Sequence, residues 1–210
     1  MRVSELFISL QGEGTRAGRP CAFVRFTGCD LRCTWCDTAY AFSGGEERSR
    51  AAIVAELDRL PTRLACLTGG EPLLQPELPA LCQDLLAAGW EVTVETHGQR
   101  PADALPGPVV RIFDVKPPGS GEVTRDFAYL DRLRPHDEVK LVVASRADFD
   151  WSAEVVRRHR LEERVAVLFS PVLGQVAPRD LAAWLLESGL RARLSLQLHK
   201  IIWGAEARGV

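Results

Sequence analysis

Cys29, Cys33 and Cys36 put three thiols within eight residues, in the stretch GCDLRCTWCDTAYAF that runs from Gly28 to Phe42. Thiolates bind zinc, copper(I) or iron–sulfur clusters. A structural zinc site takes four ligands, usually from two paired knuckles, and the chain has no second Cys-x-x-Cys or His-x-His pair. Cys21 falls inside a strand-like run, PCAFVRFTG, which is a poor place for a fourth ligand. A 4Fe-4S cluster takes one thiolate on each of its four irons. Three cysteines therefore leave one iron open to an external chelate. Cys21, Cys66 and Cys82 are scattered along the chain and are expected as buried small hydrophobes.

Other residues could join such chemistry. Thr68-Gly69-Gly70-Glu71-Pro72 follows an apolar run, where glycine removes the Cβ that would keep backbone groups from a bound ligand. Glu95 ends another run, where its carboxylate can meet a ribose or an ammonium, or only solvent. Gln11 can donate and accept, and Glu13 can accept from ring N–H and amino donors, although Gln-Gly-Glu-Gly also makes a polar turn after a strand. Arg25 lies in an apolar strand and needs a partner, either a ligand carboxylate gripped bidentately or a structural ion pair. Lys116 and Lys140 meet a cofactor carboxylate or point to solvent, with Lys116 the stronger candidate. His199 contacts a substrate or satisfies a backbone group.

Short β-like runs alternate with amphipathic helical ones, and these elements must position the chemistry. Strands are predicted over 20–28, 63–68, 91–95, 109–115, 138–144, 165–169 and 192–198, with helices over 49–60, 77–89, 147–160 and 179–188. Strands separated by helices imply βαβ units and a parallel sheet. The class is α/β. A complete eight-fold barrel takes roughly 250 residues and this chain has 210, so an incomplete, TIM-like (β/α) barrel is expected. Ligand groups collect at the carboxyl ends of such strands. That places Gly28–Cys29, Thr68–Glu71, Glu95–His97, Lys116, Ser170 and Gln197–His199 on one rim with the cysteine loop. Trp151, Trp184 and Phe169 are expected in the core.

Apolar residues make up 46% of the chain and the net charge is −2, so a full core forms and no basic field for nucleic acid exists. No run approaches the ~18 apolar residues of a membrane span. The N-terminus is too polar for a signal peptide. A single cytoplasmic domain over 1–210, with a cluster-binding loop at 29–36 and reduced thiols, is expected.

The cysteine spacing, with Trp35 before the third cysteine, resembles the radical S-adenosylmethionine (radical SAM) superfamily. There the methionyl amino and carboxylate groups occupy the open iron, and electron transfer yields a 5′-deoxyadenosyl radical. Leu10-Gln11-Gly12-Glu13-Gly14, Gly18-Arg19-Pro20, Phe23-Val24-Arg25 and Cys36-Asp37-Thr38 resemble one branch, the 7-carboxy-7-deazaguanine synthase family of the queuosine pathway. So do Thr68 to Pro72, Glu95-Thr96, Lys116-Pro117 and Gln197-Leu198-His199-Lys200. That resemblance implies a lyase converting 6-carboxy-5,6,7,8-tetrahydropterin into 7-carboxy-7-deazaguanine and ammonia. It also implies a radical SAM fold, a 4Fe-4S cluster on Cys29, Cys33 and Cys36, S-adenosylmethionine and magnesium (Mg2+). The site residues it implies are Trp35, Asp37, Thr68, Gly69, Gly70, Glu71, Glu95, Lys116 and Ser170 at the cofactor, and Gln11, Glu13, Arg25, Thr68 and His199 at the pterin. Thr38 is implied as a magnesium ligand, its competing role being to cap a helix starting near Ala39. A homodimer and an external electron donor such as a flavodoxin are implied too. Two features depart from the family: His97 stands where Asn or Ser is common, and the chain runs past Lys200 to Val210, which argues against a terminal carboxylate near the substrate. The competing functions are a small radical activase acting on a protein glycine and, in another class, a zinc-stabilised binding module.

Overall fold

The computed structural model describes residues 1–205 and 207–210. Its strands are β1 (Arg2–Leu10), β2 (Pro20–Phe26), β3 (Glu46–Glu47), β4 (Leu64–Gly69), β5 (Glu91–Thr96), β6 (Val110–Val115), β7 (Glu138–Val143), β8 (Ala166–Pro171) and β9 (Arg193–Leu194). The helices are α1 (Arg50–Leu57), α2 (Leu78–Ala87), α3 (Arg146–Arg158), α4 (Pro178–Ser188) and α5 (Leu198–Trp203). The strands form one sheet in the order β3-β1-β2-β4-β5-β6-β7-β8-β9. Every pair from β2 to β9 is parallel, whereas β1 pairs antiparallel with both β2 and β3. The two edges, β3 and β9, do not pair with each other, so the barrel is open, as its length predicted.

Strands β4 to β8 are buried on both faces, as parallel strands under helices must be. Val24 and Phe26 of β2, Leu67 of β4, Val94 of β5 and Leu141 of β7 belong to the core beneath the helices. Their neighbours one residue away, Arg25, Thr68, Glu95 and Lys140, face an inner cavity. Period-two alternation thus splits each strand between an apolar outer layer and a polar interior. Serine caps two of the helices: Ser49 accepts from the Ala52 N–H and Ser145 from the Asp148 N–H. Phe169 is fully buried, and Trp151 and Trp184 pack partly buried against the same core. Cys21, Cys66 and Cys82 are buried and unbridged, as expected of small hydrophobes.

The strand ahead of the Gln-Gly-Glu-Gly turn is β1, whose register is broken by an irregularity between Val3 and Glu5. One expectation is corrected. The strand predicted over 192–198 shrinks to Arg193–Leu194, and Gln197 instead stands just before the short helix α5, without a side-chain cap bond. The chain turns because Ser195 N–H still bonds to Phe169 O (2.8 Å) on β8, while Leu198 N–H bonds to Gly12 O (3.1 Å) in the β1–β2 loop. No helix among the described residues is long and apolar enough to cross a membrane.

Candidate active site

The cysteine loop leaves the carboxyl end of β2. Gly28 N–H donates to Ala41 O (2.8 Å) and Thr34 N–H to Ser120 O (2.9 Å), and Arg32 N–H donates to the Glu122 carboxylate (2.8 Å). So pinned, Cys29, Cys33 and Cys36 are half-buried and unbridged and line one cavity of about 280 Å³. Burial pushes the Cys29 thiol up from its ordinary pKa. Burial also raises Cys33, against the opposing charge of Lys116. No other cysteine lines the cavity among the described residues. Three thiols with no fourth fit a cluster held at three corners, and metal binding would displace their protons.

The glycines at the end of β4, Gly69 and Gly70, have a second cause beyond ligand approach. Gly69 has φ +145°, and a Cβ there would lie 2.3 Å from Phe26 O. A Cβ on Gly70 would lie 2.0 Å from Gly28 O. The segment is pressed onto the backbone that delivers Cys29, with Gly70 N–H bonded to Phe26 O (3.1 Å) and Glu71 N–H to Gly28 O (2.7 Å). Glu71 itself is fully buried. Its carboxylate accepts from Leu73 N–H (2.9 Å), the Thr96 hydroxyl (2.8 Å) and His97 N–H (3.0 Å). The His97 ring lies between two carboxylates, its Nε2 being 2.9 Å from Asp30 and 3.2 Å from Glu71. Its Nδ1 accepts from Gln99 N–H, so hydrogen bonding assigns the ring proton to Nε2.

The barrel interior is charged. Arg25 donates through Nε to Glu5 (2.6 Å), and Glu5 also accepts from the Tyr40 hydroxyl (2.7 Å). The ion-pair reading of Arg25 is therefore present, yet the pair uses only one edge of the guanidinium. Glu13 pairs with Lys140 (3.0 Å) and accepts from Gln197 Nε2 (2.9 Å). Burial works against the Lys140 ammonium, but Glu13, Asp114 and Glu95 outweigh it and hold its pKa well above the ordinary lysine value. Lys116 pairs with Asp114 (2.8 Å), whose second oxygen is buried without a partner. Both lysines thus point inward, Lys140 as fully as Lys116. Thr68 donates to Glu95 (3.1 Å). Asp37 pairs with Lys200 (2.7 Å). Gln11 is buried, its amide oxygen 3.3 Å from Glu13 N. Burial pushes the pKa of His199 below its ordinary value.

Trp35, Asp37, Thr38, Thr68, Gly69, Gly70, Glu95 and Lys116 all line the cavity with Gln11, Glu13, Arg25 and His199. Glu71 and Ser170 do not: Glu71 is consumed by its three donors, and the Ser170 hydroxyl is buried without a partner. Thr38 makes no side-chain cap to the helical turn Ala39–Phe42; its hydroxyl lies 3.7 Å from Cys36 Sγ. Residues 207–210 line the cavity, whereas the run past Lys200 was expected to keep a terminal carboxylate from the substrate. Arg208 lies over the Tyr40 ring at 4.3 Å. Sequence reasoning missed Glu5 and Asp114. Each is an acid at an inner-face strand position, and that alternation was their only signal.

Residues 23–113 match the Radical SAM superfamily. The chain is 46% identical over 226 residues to the 7-carboxy-7-deazaguanine synthase of Koribacter versatilis, with 100% of both chains covered. It is 39% identical over 214 residues to the protein of the same name from Chlorobaculum tepidum, covering 100% of this chain and 97% of that one. Among solved structures it resembles QueE from Escherichia coli, with a TM-score of 0.76 at 23% identity over 93% of each chain. It also resembles Streptococcus suis SuiB bound to S-adenosylmethionine, with a TM-score of 0.62 at 11% identity, covering 83% of this chain and 51% of that one. These last two likenesses concern the fold.

Proposed function

The chain belongs to the 7-carboxy-7-deazaguanine synthase family of the radical SAM superfamily, and on that premise we propose how its cavity divides the work. The reaction is the ring contraction of 6-carboxy-5,6,7,8-tetrahydropterin to 7-carboxy-7-deazaguanine with release of ammonia, a carbon–nitrogen lyase reaction. The observation that carries the assignment of roles is the convergence of three half-buried thiols and a set of inward-facing charges on one cavity.

Cys29, Cys33 and Cys36 hold the 4Fe-4S cluster. When bound, the cluster and S-adenosylmethionine supply the radical that starts the chemistry. Thr68, Gly69, Gly70, Glu95, Lys116, Trp35 and Asp37 form the cofactor side of the cavity, while Glu71 acts from behind it by tying His97 and the cysteine loop together. Gln11, Glu13 and His199 face the pterin, and the Lys140 ion pair holds the Glu13 carboxylate where pterin N–H groups can donate to it. The chain works in the cytoplasm as a homodimer, reduced by an external donor such as a flavodoxin. Anaerobic reconstitution tests the whole reading: protein given 6-carboxytetrahydropterin, S-adenosylmethionine and reductant should release the deazapurine chromophore. A fully loaded cluster that leaves the pterin unchanged would overturn it and favour an activase.

Arg25 binds the substrate carboxylate with the edge of its guanidinium that Glu5 leaves free. Arg25→Lys keeps the charge and loses the fork. A hydrogen bond to a charged group contributes about 1.5–3 kcal/mol, so kcat/KM should fall roughly ten- to hundredfold. Wild-type kinetics in the lysine variant would refute the contact.

Thr38 ligates magnesium. Magnesium takes oxygen ligands in an octahedron and keeps several waters, so one hydroxyl and the substrate carboxylate suffice. The missing cap bond supports this over the structural alternative. Thr38→Ala should shift the magnesium titration of activity to higher concentration with cluster absorbance intact. An unshifted curve would defeat the assignment.

A further inference from the structure

The end of the barrel opposite the cysteine loop carries a second charged cluster. Glu91 and Glu138 are the first residues of β5 and β7, and β6 lies between those strands. Both carboxylates bind the β1–β2 loop. Thr15 donates to Glu138 through its N–H (3.1 Å) and its hydroxyl (2.5 Å). Arg16 bridges the two acids, with Nε 2.6 Å from Glu91 and Nη1 2.9 Å from Glu138. Gly14 N–H adds a contact to the Ser195 hydroxyl (3.3 Å). Arg16 therefore fastens the loop across the amino ends of three strands.

The fit is close. Gly14 has φ +76°, and a Cβ there would lie 2.6 Å from a Glu138 carboxylate oxygen. Glu138 is 1% exposed, and among the described residues its side-chain partners are Thr15 and Arg16 of this loop. Lys140, two residues further along β7 on the same face, holds Glu13. One face of one strand thus fixes two points of the loop, three residues apart in sequence or fewer.

We infer that Glu138 and Arg16 are positioning residues that set the Gln11–Glu13 segment at the pterin from the far end of the barrel. The inference rests on the reading that Glu13 meets the substrate. Without the Arg16–Glu138 pair the loop backbone loosens, and Glu13 is no longer delivered in one place. Binding of the pterin suffers, while the cluster and S-adenosylmethionine, held at the opposite end, do not.

The test is Glu138→Gln, which keeps the shape, with Arg16→Gln as a second variant at a less buried site. In reconstituted enzyme the KM for 6-carboxytetrahydropterin should rise about tenfold, the effect of losing one charge-assisted hydrogen bond. The kcat, iron content and S-adenosylmethionine affinity should stay near wild type. Hydrogen exchange of the Gly12–Arg16 amides should speed up, with strands β4 to β7 unchanged. Unaltered loop exchange and unaltered KM in both variants would overturn the inference, as would a uniform loss of protection and iron. Glu13→Gln separates the premise: if it leaves the pterin KM at the wild-type value, the Glu13 reading fails on its own, and with it the claim that the latch serves the substrate.

Discussion

Alanine at Cys29, Cys33 or Cys36 abolishes turnover, and each single variant loses the visible absorbance of the reconstituted cluster. The expectation follows from counting ligands. The cavity offers three thiols from one loop and no other cysteine among the described residues, so a lost thiolate has no substitute. Asp30 and His97 lie near Cys29, but His97 is held by Asp30, Glu71 and Gln99. Removing one small, half-buried side chain does little to the core, so the variants should remain folded, with far-ultraviolet circular dichroism unchanged. Iron and sulfide analysis beside the spectrum separates loss of the cluster from loss of the protein. A single-alanine variant with full activity would remove the radical assignment altogether.

Gly70→Val removes activity nearly as completely, for a reason other than blocking the cofactor. The new Cβ would lie 2.0 Å from Gly28 O, 2.5 Å from Gly28 C and 2.9 Å from Cys29 Cβ. Two of those three atoms are backbone and cannot rotate away. Overpacking typically costs about 1–3 kcal/mol and occasionally more, and here relief comes only by moving Cys29 away from Cys33 and Cys36 or by breaking the Glu71 N–H bond to Gly28 O. Cluster content and S-adenosylmethionine affinity should therefore fall together in one preparation. If titration shows lowered affinity with wild-type iron content, the glycine serves only cofactor approach. If both are unchanged, the packing argument fails.

The chemistry was legible in the sequence wherever it is local. The spacing of Cys29, Cys33 and Cys36 is a property of one loop, and the glycines after Thr68 mark a close approach whatever lies opposite. The alternation of strand and helix runs pointed to the parallel α/β class, and the open barrel expected beside it is seen in the unpaired edges β3 and β9. Local patterns could not say what sits across a cavity. Arg25 announced a need for a partner, but Glu5 stands on an antiparallel neighbour, 20 residues earlier. Lys140 read equally well as inward or outward, because a strand buried on both faces hides which face is the interior; only the meeting with Glu13, 127 residues away, decided it. The glycines of Gln-Gly-Glu-Gly had no visible cause until folding brought His199 against Gly12 and Glu138 against Gly14. The shortening of the last strand had the same origin, since Gly12 O takes the Leu198 N–H and turns the chain. Sequence by itself determined which groups could do the chemistry and at which strand ends they stand. Tertiary structure alone decided which of them face one another, because those pairings join segments that share no periodicity and meet only when the sheet curls around its charged interior.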